Sequence, residues 1–288
     1  MTTMNPADTS TWLPLDGLAP GFDANKAPHT TALSGREINV TAPNGTRIAH
    51  RFADTEVTWT YAPGEGDPTE PASDTDAYEA VEVDEDLFYV QFHHRYLPNE
   101  AVSLVIDLRA GRVLSIISEI LPTLEPGRTR VVQHFGVATI DGAEQHGASP
   151  HPTTALIGRR VEWVYSTEHA YEHVYLSERW YTWQCLAGPE RGLADTDENS
   201  VWEIRPGIYV FAWREKVIPC ASVTIADHRD VTKIRSHGVL FGLDETGEVP
   251  THFTFGAWGR LISVTHHAPA LEPANFSDQS AAGAEAGA

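Results

Sequence analysis

Apolar and polar residues alternate with a period of two over many short runs of this chain, and almost nowhere do apolar residues recur at the spacing of an amphipathic helix. Runs rich in β-branched and aromatic residues predict strands at 47–61, which contains E-V-T-W-T-Y, and at 78–83, 87–94, 102–108 and 112–118. Ala110-Gly111 predicts a hairpin between the last two. Residues 116–121 suit either a strand end or one helical turn. Ahead of these strands, residues 1–32 are rich in Pro, Gly, Asp and Thr and predict an arm pinned by Trp12, Leu13, Leu15 and Phe22. Residues 62–76 predict a mobile acidic loop.

After a Gly/Pro/His-rich connection at 140–154, the pattern restarts with strands at 160–166, 171–185, 201–205, 209–218, 222–227 and 239–243, and a polar loop at 188–200. Residues 171–185 read as one long strand whose odd-numbered face carries His173, Tyr175, Ser177, Arg179, Tyr181 and Trp183.

The two halves resemble each other. V-T-W-T-Y at 57–61 aligns with V-E-W-V-Y at 161–165, and Tyr89-Val90, Ala101 and Asp107 align with Tyr209-Val210, Ala221 and Asp227 at a common offset of 120. Many short strands with frequent turn signals and an internal repeat predict an all-β chain of two tandem lipocalin-like (calycin) antiparallel β-barrels. The expected divisions are an arm at 1–32, a first barrel at 33–141, a linker at 142–154, a second barrel at 155–267, and a low-complexity disordered tail at 268–288. The first barrel is expected to close or shape the mouth of the second.

Charge narrows the function classes. Forty acidic against 20 basic residues, a net charge of −20, argue against nucleic-acid and anionic-membrane partners. A small-molecule ligand or substrate is the expected partner, with a homodimer left open. Cys185 and Cys220 are too few for a disulfide framework, and with neither a signal-like N-terminus nor an apolar run of membrane-spanning length the chain reads as cytoplasmic with free thiols. Nucleotide-loop, nucleophile-elbow and common zinc motifs are absent, so neither a cofactor nor a metal is expected.

What chemistry the chain offers gathers in its second half. In strand 209–215, alternation puts Tyr209, Phe211, Trp213 and Glu215 on one face, too aromatic for a solvated surface. A carboxyl beside aromatic rings has its charged form disfavoured and can serve as a general acid or base near neutral pH. Glu215, Arg179 and Tyr165 are therefore the candidate catalytic residues, with His173, Tyr175, Tyr181, Trp183, Tyr209 and Trp213 as substrate-binding candidates. At the 120 offset, Arg95 stands opposite Glu215 and His93 opposite Trp213, so the first copy is not expected to run the same step.

The run Y-E-H-V-Y-L-S-E-R-W-Y-T-W-Q-C-L-A-G-P-E-R-G-L-A-D-T-D (171–197), followed by I-Y-V-F-A-W-R-E-K-V-I-P (208–219), resembles the carboxyl-terminal domain of the molybdenum-cofactor-biosynthesis protein F (MoaF) family. The half containing V-T-W-T-Y and the strands of 78–118 resembles that family's amino-terminal domain. The resemblance implies a tandem calycin-like fold and an association with molybdenum cofactor biosynthesis. A fainter likeness is to phenolic acid decarboxylases, cofactor-free single barrels: their tyrosine-x-tyrosine strand is similar to Trp163-Val164-Tyr165, and their W-T-E strand end to Trp213-Arg214-Glu215. Together these readings give a small-molecule-binding protein expected to be a cofactor-independent enzyme of lyase, isomerase or cyclase type, acting on a small aromatic or enolisable substrate. The alternatives are a non-catalytic ligand-binding protein and an accessory protein of molybdenum cofactor biosynthesis.

Overall fold

A computed structural model describes residue 9 and residues 12–275. Eight strands form the first barrel: β1 (Glu37–Thr41), β2 (Arg47–Phe52), β3 (Glu56–Ala62), β4 (Ala72–Asp84), β5 (Leu87–His93), β6 (Glu100–Asp107), β7 (Arg112–Ile120) and β8 (Val131–Ile140). Each pairs antiparallel with the next, and β8 returns to β1 through Val40 and Ile140. A two-residue bridge, β9 (His151–Pro152), edges onto the second barrel. That barrel comprises β10 (Arg159–Val164), β11 (Ala170–Tyr175), β12 (Trp180–Ala187), β13 (Ala194–Arg205), β14 (Ile208–Arg214), β15 (Cys220–Asp227), β16 (Ile234–Leu243) and β17 (Pro250–Val264). It closes through the pairing of β10 with β17. The chain is thus all-β, two closed antiparallel barrels in tandem, and no helix among the described residues is long and apolar enough to cross a membrane. Residues 116–121, left open between strand and helix, belong to β7 apart from Leu121.

Two expected loops are partly strand, for one reason. Strands β4 and β13 both open on D-T-D, at 74–76 and 195–197, where the second aspartate points inward and is buried. Polar residues on the inner face invert the usual pattern and make a strand read as a loop. The expected single strand 171–185 is in fact the hairpin β11–β12. Ser177 breaks it: its hydroxyl accepts the backbone N–H groups of Arg179 and Trp180 at 3.3 and 3.1 Å, which builds a turn in place of a ladder. The four-residue connection preserves parity, so Tyr171, His173, Tyr175, Tyr181, Trp183 and Cys185 all still face inward.

Strands β5, β6, β14 and β15 are apolar on both faces because both are covered. Their inner faces fill the barrels, while Leu87, Tyr89, Val105, Leu114 and Ile116 pack outward against Ile208, Val210, Ala212, Val223 and Ile225 of the other barrel. The Tyr89 hydroxyl donates to the Val223 carbonyl across this seam at 2.5 Å. Arg205 grips Asp107 with two hydrogen bonds of 2.8 Å and reaches Asp84 at 2.8 Å. The first barrel therefore packs against the outer wall of the second, and its Glu79 also holds the arm through Lys26 at 2.9 Å.

The mouth is closed by the arm. A one-turn helix, α1 (Leu15–Leu18), and the segment after it send Leu15, Leu18 and Phe22 into the second barrel's core before the chain crosses over to begin the first barrel. Asn25 ties the crossing down, its N–H donating to the Tyr165 carbonyl at 3.1 Å and its side-chain amide to the Val164 carbonyl at 3.0 Å. At the other end, 269–271 and 273–275 form two short 3-10 turns, and the rest of the expected disordered tail lies outside the described residues.

Candidate active site

In a meander, alternate connections fall at alternate ends. The β10–β11, β12–β13 and β14–β15 connections share one end of the second barrel, with the arm laid across it. Beneath lies a cavity walled by Tyr165, Tyr171, His173, Tyr181, Trp183, Trp213 and Phe255, with Glu190, Glu215 and Cys220 as its polar groups and Leu18 and Phe22 of the arm as its roof. Its free interior is about 60 Å³, room for a few waters.

Glu215 sits just past the end of β14. Its Oε1 accepts the Trp213 indole N–H at 3.0 Å, whereas Oε2 is sealed from solvent with no donor among the described residues. Beside it stands Asp197, 1% exposed, whose oxygens accept the Trp183 indole N–H at 2.8 Å and the Lys216 backbone N–H at 3.2 Å. The Lys216 ammonium also stands 3.4 Å from Asp197, so of the two carboxyls Glu215 is the one without a cation beside it among the described residues. Burial, then the adjacent Asp197 charge and its hydrogen bond, hold Glu215 well above the usual carboxylate range. Glu190 is a second such acid, 4% exposed, with burial pushing it up. The Tyr171 hydroxyl donates to it at 3.1 Å, as does the backbone N–H of Leu13 from the arm, also at 3.1 Å. His173, buried with Nδ1 unpartnered among the described residues, is pushed down to about 3 by desolvation and stays neutral.

The first barrel contains the same construction with one residue changed. The Trp59 indole N–H donates to Asp76 at 2.9 Å and the backbone N–H of Arg95 donates to its other oxygen at 2.9 Å, as Trp183 and Lys216 do to Asp197. Thr58–Thr75 and Thr182–Thr196 hydroxyl pairs flank the two sites. In Glu215's place stands His94, whose Nδ1 lies 2.9 Å from Asp76. Burial works to raise Asp76, but the bonds from Trp59, Arg95 and His94 outweigh it and hold it low. A satisfied His–Asp pair in one barrel is thus a pair of neighbouring acids in the other.

This equivalence corrects the repeat alignment. Residues 57–61 form the third strand of their barrel and match β12, whereas 161–165 begin the second barrel and match its counterpart β1. The 120 offset pairs the right strands but slips β5 against β14 by one residue, which exchanges faces. Glu215 corresponds to His94 and not Arg95; Trp213 corresponds to inward-facing Phe92 and not His93.

Of the nine candidate residues, Glu215, Tyr165, His173, Tyr181, Trp183 and Trp213 line the cavity. Tyr175 and Tyr209 lie behind it, beyond the layer of His173, Phe211 and Trp213 toward the opposite end. Arg179 is not brought to the site: it sits in the β11–β12 turn, its guanidinium half-exposed and bonded to Glu198 at 2.7 Å. Asp197 and Glu190 fell in the supposed polar loop and were missed, although the repeated T-W and D-T-D could have revealed Asp197. The arm's Leu18 and Phe22 carried no signal for this role.

Fold and site define a tandem-barrel protein whose second barrel holds a small acid-lined aromatic cavity. The MoaF C-terminal domain model matches residues 150–265 and the MoaF N-terminal domain model matches 10–121. Protein MoaF of Klebsiella aerogenes is 34% identical over 196 residues, covering 63% of this chain and 72% of that protein. The chain belongs to the MoaF family. Among solved structures, a protein of unknown function from the DUF3598 family of Nostoc punctiforme aligns over 78% of this chain and 93% of its own, with 10% identity and a TM-score of 0.33.

Proposed function

We propose that the second barrel houses a cofactor-independent enzyme of lyase, isomerase or cyclase type, with Glu215 as the group that gives and recovers a proton. The observation that carries this reading is the buried Glu215–Asp197 pair where the sister barrel keeps a satisfied His94–Asp76 pair. An acid held protonated in a buried aromatic cavity costs stability, and such costs concentrate at sites of chemistry. Glu215 would protonate a bound carbon or oxygen; the carboxylate left behind keeps its Trp213 hydrogen bond and can take a proton from a second position of the same molecule. Neutral tyrosines and His173 would orient the substrate, and the arm would exclude water.

Identifying the small molecule that co-purifies with the protein, by mass spectrometry, supplies the substrate for the test. Glu215→Gln should bind that molecule as wild type does and lose turnover by two orders of magnitude or more. Unchanged conversion removes Glu215 from the chemistry. Membership of the MoaF family supports a second reading, an accessory role in molybdenum cofactor biosynthesis. There the same cavity would hold a ligand without transforming it, and Glu215→Gln would have no catalytic consequence.

A further inference from the structure

The enclosed space of about 60 Å³ admits waters but no organic substrate, so any ligand must displace part of the wall. Most of that wall is hydrogen-bonded barrel strand. The arm is different: it contributes no strand, and its chain passes His169 only because residue 21 is glycine. There φ is +90° and a Cβ would lie 2.7 Å from the imidazole. At its centre Phe22 occupies an aromatic box. Its ring centroid lies 4.7 Å from Tyr165, 5.2 Å from His169, 5.8 Å from Tyr171, 6.3 Å from Phe255 and 6.4 Å from Phe253. A box of five rings around one is a receptor for a planar ring, currently filled by the protein's own side chain.

Charge narrows what ring can replace it. No Lys or Arg lines the cavity. Arg179 and Arg214 both turn to Glu198, and Lys216, outside the cavity lining, is shared between Asp195 and Asp197. Inside, the acidic groups are Glu190 and Glu215, with Asp197 behind them. A ligand carboxylate or phosphate would enter beside Glu190 and Glu215, with no cation in the lining to receive it and the nearby Lys216 already taken by Asp195 and Asp197.

Building on the reading of this cavity as the ligand site, we infer that its ligand is a molecule without an anionic group that bears a planar six-membered ring, which takes the place of Phe22 when the arm is released. The ring then reaches the box while its polar substituents face Glu215 and Tyr181. Because the Leu13 and Asn25 amides are bonded to Glu190 and to the Tyr165 carbonyl, their protection reports whether the arm is seated.

The test uses full-length protein at pH 7 with p-cresol and 4-methylbenzoate, alike in shape and different in charge. Saturating p-cresol should speed hydrogen exchange at the Leu13 and Asn25 amides at least tenfold while β14 and β15 stay protected; 4-methylbenzoate should do neither. Phe22→Ala should bind p-cresol at least tenfold more tightly than wild type, since no side chain has to leave, and Phe22→Leu serves if the alanine variant does not fold. Binding of p-cresol with both amides unchanged, equal or tighter binding of 4-methylbenzoate, or no binding of p-cresol to wild type or variant would each overturn the inference. The p-cresol response is read by binding and amide exchange in wild type and the Phe22 variants, whereas the proton-transfer reading is tested only by turnover of the co-purifying molecule, so the two failures are separable.

Discussion

Replacing Glu215 by glutamine should flatten the pH dependence of stability. The folded value of Glu215 stands above its ordinary 4.5, chiefly through burial. Folding above that pH therefore takes up a proton. The sign follows: this group's contribution is whole below the unfolded value and is lost as pH rises toward the folded one. Between the unfolded and folded values the slope approaches about 1.4 kcal/mol per pH unit for one proton. Glutamine has the same shape, its oxygen can accept the Trp213 N–H, and its amide can donate to Asp197 without a proton from solvent. Urea unfolding at half-unit steps from pH 5 to 7.5 should show the variant's stability falling less steeply by one proton's worth. Glu190, shifted the same way, remains in both proteins and leaves a residual slope. Identical slopes for wild type and Glu215→Gln would refute the raised Glu215.

The sister barrel offers the reciprocal experiment: His94→Glu would set a second acid against Asp76, and urea unfolding should show a new loss of about 1.4 kcal/mol per pH unit above pH 5, absent from wild type. Gly21→Ala should unseat the arm, since the left-handed backbone alone costs about 1–2 kcal/mol and the methyl meets His169; faster exchange at the Leu13 and Asn25 amides is the readout. Arg205→Ala removes the cation that neutralises Asp107, whose side chain is 5% exposed, and should lower stability by about 3 kcal/mol in urea unfolding, with Asp84 still held by Arg229.

Much of the architecture was legible because period-two alternation is a direct consequence of one buried and one outward face, and the chain repeats it throughout. Strands buried on both faces, such as β5 and β14, were equally plain as continuous apolar runs. What failed to read were strands with polar residues turned inward. D-T-D at 74–76 and 195–197 looks like loop, and both occurrences place an aspartate under a tryptophan indole. Six of nine candidate site residues reached the cavity because an aromatic inner face cannot be a solvated one. Arg179 did not, because a serine-built turn, invisible to alternation, carried it out of the barrel. Nor could alternation show that an arm preceding the first barrel would close the second, since that contact depends on how the two barrels lean together.

The central claim is that Glu215 keeps its proton at neutral pH. It can be read directly as the carbonyl stretch of a protonated carboxylic acid in the infrared difference spectrum of wild type minus Glu215→Gln, followed as a function of pH. The band should be present at pH 7 and should persist well above the pH at which an exposed glutamate ionises. A difference spectrum showing only carboxylate at pH 7, with Glu215 titrating near 4.5, would contradict it.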